Sequence, residues 1–322
     1  MKRPIRFVIA LAAFAVSSIA SAQLACTARM GDVNFGSVNR VGSGYGSVVG
    51  LVEVECRNAI TPQVRACIDL GAPPDNNWTP RHLAGPNGVT LAYDICQDAA
   101  CTRVWGSVLA GSALPVALDL DTQDGSATAS VPYYARIAAQ NDAPAGSYAA
   151  TYGGVDAVLR AVGHTGAAPA CGADVPVASY FAFSVQAMVT TDCRVTASPL
   201  DFGQTGVSLG TTPLEATSTI SVTCTSGVPY SIVLDAGQGS GATPALRRMT
   251  RNGGSESITY RLYSDAARTQ LWGDGSNGTT AVAGSGVGIM TAQNHTVYGA
   301  IPAQPAAAPG TYVDTVTVTV TY

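Results

Sequence analysis

Lysine is all but missing from this chain of 322 residues, in which Lys2 is the only one. Charged residues make up 12% of the sequence. Three of the 17 basic residues lie in the first six positions, which leaves 14 arginines against 21 acidic residues and a net charge of −7 beyond residue 22. Binding of nucleic acid needs a basic stripe that can hold phosphates. The sequence has none, so we expect no nucleic acid partner.

Long apolar runs are also scarce. One run, residues 7–16, follows three basic residues and precedes the small residues 20–22. This order predicts a secretory signal peptide over residues 1–22, so that the mature chain begins at Gln23. A transmembrane anchor is the weaker alternative, because such an anchor needs about 18 apolar residues. We therefore expect an exported, soluble protein.

Cysteine spacing typical of zinc sites is absent, since none of the eight cysteines forms a C-x-x-C pair. All eight lie beyond residue 22, and an exported chain meets the oxidising conditions in which disulfides form. Two pairs have the similar separations of 30 and 31 residues, and a third flanks a short hairpin. The predicted disulfides are Cys26–Cys56, Cys193–Cys224, Cys96–Cys101 and, from the two cysteines that remain, Cys67–Cys171.

The chain contains an internal repeat. Residues 95–106 align with residues 262–273 at an offset of 167, and residues 133–151 align with residues 297–315 at an offset of 164. Copies of this length predict two domains, at residues 23–190 and 191–322. The first copy continues into a β-rich run, residues 179–189, which has no counterpart before the second copy ends at Tyr322. We therefore expect the second domain to lack its last strand.

Short alternating segments fill both copies. Residues 48–56 and 217–224 alternate apolar with polar side chains, as half-buried strands do, and the segments 230–237, 257–265, 296–301 and 311–322 continue the pattern between Gly, Pro, Asn and Asp. No segment shows capped helical periodicity. The sequence predicts an all-β fold of two tandem immunoglobulin-like antiparallel sandwiches. The first closes itself with inward residues at every second position: Phe181, Phe183, Val185, Ala187 and Val189.

The second copy resembles a known family. CRVTASPLDFGQ, TISVTC, YSIVLDAG, RRMTR, YRLYSDAARTQLWGDG and the final TVYGAIPAQPAAAPGTYVDTVTVTVTY, in this order, are similar to the spore coat U domain, the pilin domain of archaic (Csu-type) chaperone-usher pili. The first copy is a divergent relative that keeps VNFGSV, VEVEC, RHLAGPNG, ICQDAACTRVWG and SYAAT. In that family, a two-domain subunit with a divergent first copy is the tip adhesin of the pilus.

The resemblance implies a non-enzymatic adhesin without cofactors, located at the fimbrial tip on the cell surface and acting in surface attachment and biofilm formation. The implied partners are a periplasmic chaperone, an outer-membrane usher, the next pilin subunit and a host or abiotic surface. A donated strand would complete the second domain by β-augmentation. We expect it to pair with the last strand, at Val316, Val318, Val320 and Tyr322. Only residues 23–25 precede Cys26, too few for the chain to donate a strand itself.

Three loops of the first domain are the expected contact surface. If strand directions alternate, residues 57–62, 106–130 and 160–178 lie at the pole away from the second domain. Their apolar side chains are unusual for loops. The predicted surface-binding residues are Ile60, Val108, Leu109, Leu114, Pro115, Val175 and Pro176. The alternative is that several of them fold back onto the core.

Other signals are weaker. Asp119, Asp121 and Asp124 could bind calcium but lack the glycine and glutamate of an EF-hand loop. The glycines near Gly42 and Gly237 precede no helix or lysine, which favours turns over a phosphate loop. The three histidines accompany no nucleophile motif. A secreted enzyme or ligand-binding sandwich, and a shaft or spore-coat subunit, remain alternative functions.

Overall fold

The structure is a computed structural model that describes residues 23–39, 46–73, 75–110, 113–137, 143–204, 209 and 212–322. The predicted signal peptide and the glycine-rich stretch at Gly42 lie outside the described residues. Within these ranges, no helix has the length and apolar content needed to cross a membrane.

The strands of residues 25–189 form what we call the first unit. They are β1 Ala25–Met30, β2 Val33–Val38, β3 Ser47–Arg57, β4 Gln63–Leu70, β5 Arg81–Ala84, β6 Thr90–Cys96, β7 Val116–Asp121, β8 Ala127–Ile137, β9 Gly146–Tyr152, β10 Ala157–His164, β11 Val177–Tyr180 and β12 Phe183–Val189. An eight-stranded sheet has the order β1-β3-β8-β6-β5-β9-β12-β2, and a four-stranded sheet has the order β11-β10-β4-β7. The pairing of β12 with β2 is parallel, an exception to the predicted antiparallel arrangement.

Alternating side chains explain why these strands bury one face. In β3, Val52 and Val54 point into the core while Glu53 and Glu55 point to solvent. This period of two places the apolar set of each strand on the face between the two sheets. A single core of residues from both sheets results.

The strands of residues 193–321 form the second unit. They are β13 Cys193–Ala197, β14 Leu214–Cys224, β15 Pro229–Leu234, β16 Arg247–Arg251, β17 Ser257–Tyr263, β18 Val282–Ser285, β19 Gln293–Ile301, β20 Tyr312–Val313 and β21 Val318–Thr321. A six-stranded sheet has the order β13-β14-β19-β17-β16-β20, and a three-stranded sheet has the order β18-β15-β21. A second core lies between them.

The predicted continuous strand over residues 311–322 is wrong. The chain instead forms β20, which pairs with β16 in one sheet, and then β21, which pairs with β15 in the other. Residues 314–317 cross between the sheets. The backbone amide of Thr317 donates to the carboxylate of Asp235 at 2.9 Å and so anchors the crossing.

All four predicted disulfides are confirmed. Cys26–Cys56 and Cys193–Cys224 join directly opposed residues of an antiparallel pair, with Cα–Cα distances of 4.0 and 4.1 Å. Cys96–Cys101 spans the short hairpin. Cys67–Cys171 joins β4 to the loop between β10 and β11 across 104 residues of sequence.

A buried arginine occupies the same place in both units. Arg247 is fully buried and donates to the carbonyl oxygens of Leu234, Asp235, Pro244 and Trp272 at 2.7–3.2 Å. Burial lowers its pKa. Arg81 has the same role in the first unit, where it donates to the carbonyl oxygens of Leu70, Gly71 and Trp105. Each arginine thus donates hydrogen bonds to backbone carbonyl groups of separate segments. Without the arginine these carbonyl groups would be buried without partners.

Replacing Arg247 with Met should therefore destabilise the second unit by about 3 kcal/mol or more, because several buried carbonyls lose their donor. Arg247→Lys should restore little, since one ammonium group does not reproduce the planar donor set. Calorimetric unfolding of the full chain measures the effect. Arg261→Met, at an exposed position of β17, is the control. Equal stability of the two Met variants would contradict this role of Arg247.

Candidate functional site

The closing strand of the first unit lies between two neighbours. β12 runs antiparallel to β9, with Phe183 opposite Tyr152 and Val189 opposite Gly146, and parallel to β2. The five inward residues predicted from the sequence are at most 8% exposed. Phe183 stacks on Tyr152 with ring centroids 4.3 Å apart. The prediction that the first unit supplies its own closing strand is confirmed.

The corresponding place in the second unit is an open groove of about 680 Å³. The repeat alignment equates β9 with residues 310–316 and β2 with residues 200–205. The groove lies between residues 310–316 and the described residues 200–204, and its lining includes Leu200, Phe202, Met249, Tyr260, Tyr312 and Val316. In the described part of the second unit, no strand lies between the two segments, and residues 200–204 are not in a strand themselves.

Burial distinguishes the open groove from its filled counterpart. The aligned residues of the first unit, Val33, Phe35, Leu83, Tyr148 and Tyr152, are at most 9% exposed. Their equivalents in the second unit are all only half-buried, and these are Leu200, Phe202, Met249, Tyr312 and Val316. The same positions that pack against β12 in the first unit therefore leave apolar surface accessible in the second.

The structure separates the four residues predicted to pair with a donated strand. Val316 and Val318 line the groove. Val320 lies in β21 opposite Ile232 and packs against the core. Tyr322 is 54% exposed, and its hydroxyl donates to the carboxylate of Asp192 at 3.2 Å. Two of the four thus belong to the groove lining.

Carboxylates fix the crossing that forms one wall of the groove. Asp314 accepts hydrogen bonds from the Tyr260 hydroxyl at 2.7 Å and from the backbone amide of Gln238 at 2.7 Å. Burial and the neighbouring Asp314 raise the pKa of Tyr260. Burial opposes ionisation of Asp235, but hydrogen bonds from Thr317 and Gly237 outweigh it and lower its pKa. The wall is therefore held by the carboxylates of Asp235 and Asp314.

The expectation that the three apolar loops share one pole holds only in part: the backbone amide of Ala59 donates to Gly125 at 2.9 Å and β10 ends beside Gln63, but the segment before β7 lies elsewhere. Residues 57–62 precede Gln63, which pairs with Asp121 and His164 at one end of the four-stranded sheet. The described part of the segment before β7, residues 107–110 and 113–115, precedes Val116, which pairs with Ile68 near the other end of β4. The register of β7 thus carries this segment away from Ile60.

The loop between β10 and β11 folds back over the outer face of the four-stranded sheet. Pro169 accepts a hydrogen bond from Arg65 at 2.8 Å, and Cys171 is joined to Cys67. The carbonyl of Val175 accepts a hydrogen bond from Arg160 at 3.0 Å. These contacts, which no local sequence pattern reveals, draw the loop onto the sheet.

An ion pair links this loop to the segment before β7. Asp69 is 1% exposed, and its carboxylate contacts Arg160 Nε at 3.0 Å. The same carboxylate accepts a hydrogen bond from the backbone amide of Val108 at 2.7 Å. Asp69 and Arg160 therefore hold residues near Val108 and Val175 on one face of the first unit.

Exposure differs among the predicted surface-binding residues. Ile60, Leu109 and Leu114 are 96%, 66% and 71% exposed, and Pro176 is also exposed. Val108 is half-buried, whereas Pro115 and Val175 are buried. The alternative that some of these side chains fold back therefore holds for Pro115 and Val175. The remaining five stay candidates for surface contact.

The weaker candidates have structural partners. Asp119 contacts His164 at 2.6 Å, Asp121 accepts from Gln63 at 2.9 Å, and His295 contacts the Tyr230 hydroxyl at 2.9 Å. Burial lowers the pKa of His295. Across the described ranges, His, Cys, Asp and Glu side chains form no group of three that could hold a metal ion.

Sequence reasoning missed the groove residues Leu200, Phe202, Met249 and Asp314. The repeat alignment contains a signal for them, since each aligns with a core residue of the first copy. Asp314 is the clearest case because it aligns with Ala150, an apolar residue. The groove lining is thus identified by aligning the two copies position by position.

Two units with the same pair of sheets define a tandem β-sandwich protein. The chain belongs to the spore coat protein U family, whose domain model matches residues 10–153 and 179–319. Protein U of Myxococcus xanthus is 34% identical over 115 residues, which are 34% of this chain and 61% of that protein. The chain thus spans about three-fifths of the length of this relative.

A solved structure shows the same fold. A chaperone–tip adhesion subunit pre-assembly complex from the archaic chaperone-usher Csu pili of Acinetobacter baumannii matches with a TM-score of 0.50 and 16% identity, over 92% of this chain and 100% of that one. The CupB6 tip adhesin of Pseudomonas aeruginosa matches over 92% and 94% of the two chains at 16% identity, with a TM-score of only 0.35.

Removal of the buried carboxylate should loosen both loops of the first unit. Asp69→Ala deprives the half-buried Arg160 of its carboxylate and the Val108 amide of its acceptor, which should lower the free energy of unfolding by about 3 kcal/mol. Urea unfolding measures the loss. Arg57→Ala breaks the exposed Arg57–Glu55 pair and should change stability by less than about 1 kcal/mol. A similar effect of both substitutions would refute the coupling.

Proposed function

We propose that this chain is a pilus-associated adhesin. Residues 1–22 direct export, residues 23–190 attach to a host or abiotic surface and promote biofilm formation, and residues 191–322 join the chain to the pilus. Incorporation uses donor-strand complementation, in which a strand from another polypeptide fills the groove of the second unit. The chain acts by binding and assembly rather than by catalysis.

The groove is the observation that carries this proposal. The two units share the strand order of the larger sheet as far as β9 and β20, a buried arginine and the first disulfide, yet among the described residues only the first unit has a strand in this place. A half-exposed apolar groove beside an unpaired strand edge invites pairing with another chain. An added strand would satisfy the backbone groups of the edge and cover the apolar lining at once.

The first unit predicts the orientation of the incoming strand. β12 runs antiparallel to β9 and parallel to β2. A donated strand in the same orientation runs antiparallel to β20 and parallel to residues 200–204. Its inward side chains, at every second position, would then cover Phe202, Tyr312 and Val316.

The Csu complex supports a chaperone as the first occupant of this groove. Its two components are a chaperone and a tip adhesion subunit, and the second has the fold of this chain. We propose that a periplasmic chaperone protects the groove and that the outer-membrane usher exchanges it for the next pilin subunit. The chain then occupies the fimbrial tip.

Exposed apolar residues of the first unit are the proposed contacts with the surface. Leu109 and Leu114 lie before β7, Pro176 lies beside β11, and Ile60 lies at the end of the four-stranded sheet. Apolar side chains of this size contribute roughly 1.5–3 kcal/mol each when they leave water, which suits adhesion to an apolar surface.

A strand appended to the chain should stabilise the second unit. A Gly/Ser linker of about 15 residues after Tyr322, followed by a copy of residues 177–190, reproduces the connection that closes the first unit. Its apolar residues should fill the groove and raise the unfolding midpoint of the second unit by roughly 5 °C or more. In calorimetry, the unfolding transition of the second unit is the one whose midpoint Arg247→Met lowers.

The matched control carries Asp at the appended positions that correspond to Phe183 and Ala187. It keeps the length and linker but places charges against the apolar lining, so it should give no rise in midpoint. Equal midpoints for the chain with and without the appended strand would refute strand acceptance.

Charges on the exposed loops should abolish attachment without affecting assembly. Leu109→Asp with Leu114→Asp should reduce adhesion of pilus-bearing cells to polystyrene at least roughly tenfold, because the apolar contact area is lost. Val49→Asp is the matched control, since Val49 is also an exposed apolar residue at 65% but lies in β3. Immunodetection of the chain on intact cells verifies assembly. Undiminished adhesion of the double variant would contradict this contact surface.

A further inference from the structure

Asp314 is a half-buried charged residue in the lining of the apolar groove, which also includes the exposed Asp201. Asp314 aligns with Ala150 of the first unit, which is 6% exposed and points into the core. In the second unit, half-buried Asp314 alternates with the exposed residues Val313 and Thr315 and lines the groove. A carboxylate therefore occupies a position at which the first unit has only a methyl group.

The register of the first unit identifies the position that faces Asp314. Val185 of β12 lies directly opposite Ala150 of β9. A strand that entered the groove in the same register would place its equivalent of Val185 opposite Asp314. Side chains in directly opposed positions have Cβ atoms about 4.5–5.5 Å apart, so the two would be in contact.

The carboxylate of Asp314 retains acceptor capacity in the open groove. It accepts hydrogen bonds from the Tyr260 hydroxyl, the Gln238 amide and the Thr315 amide at 2.7, 2.7 and 2.8 Å. An ionised carboxylate offers about four lone-pair sites. Covering it with an apolar side chain removes water and supplies no donor in return, which is costly for a charged group.

We propose that Asp314 selects the strand that fills the groove, and that this strand carries a hydroxyl or amide side chain opposite Asp314 within an otherwise apolar inward face. This inference rests on the proposed function. It follows that the chain's own closing strand, with Val185 at this position, fills the groove less well than the same strand with Thr there. A second copy of the chain is thus disfavoured as the donor.

The appended-strand chain tests this selection through a matched pair of donors. One donor keeps Val at the position of Val185, and the other carries the nearly isosteric Thr. Each donor is appended to two versions of the chain, one with Asp314 and one with Asp314→Ala. With Asp314, the Thr donor should raise the unfolding midpoint of the second unit by roughly 4 °C more than the Val donor. With Asp314→Ala, the Val donor should be equal or better.

The outcomes separate the two proposals. If neither donor raises the midpoint above that of the chain without a donor, strand acceptance itself fails. If both donors raise it equally, or if the preference for Thr persists in Asp314→Ala, the selection by Asp314 is overturned while strand acceptance stands. Should Asp314→Ala not fold, Asp314→Asn keeps the shape and removes the charge, and the preference for Thr should shrink in it.

Discussion

In each unit one edge of the larger sheet, at β9 or β20, needs a partner strand, and the structure depends on how this need is met. A sandwich buries its apolar faces only if every strand position is filled, and an edge left open exposes both backbone hydrogen-bonding groups and apolar side chains. The first unit satisfies this constraint internally with β12. In the second unit the equivalent residues line an open groove.

What the two units share defines the common framework. Both have a disulfide between opposed residues of their first two paired strands, and in both a buried arginine binds the backbone carbonyl of a buried tryptophan. The first unit adds Cys67–Cys171 and the Asp69–Arg160 pair, which cover the outer face of its smaller sheet. The first unit thus has extra cover on its smaller sheet, while the second has an open groove beside its core.

Local patterns in the sequence predicted much of this fold. Alternation located β3, β12, β14 and β15, and the repeated cysteine separations led to the correct disulfides. The break at residues 314–317 escaped prediction because apolar alternation continues through the crossing between sheets. The positions of Val175 and Pro115 depend on tertiary contacts, such as the hydrogen bond from Arg160 to Val175, which leave no local trace. For the same reason simple alternation misplaced the segment before β7, which lies near the other end of β4 from Ile60.

The placement of β12 also affects how the molecule carries mechanical load. Its last residue, Val189, leads within four residues to Cys193 of β13, so tension between the two units pulls on β12 along its length. Ladder hydrogen bonds lie across the strand direction. Because β12 is paired on both sides, such a pull loads two ladders in shear at the same moment instead of opening them bond by bond. The strand that completes the core of the first unit therefore also resists force applied between the two units.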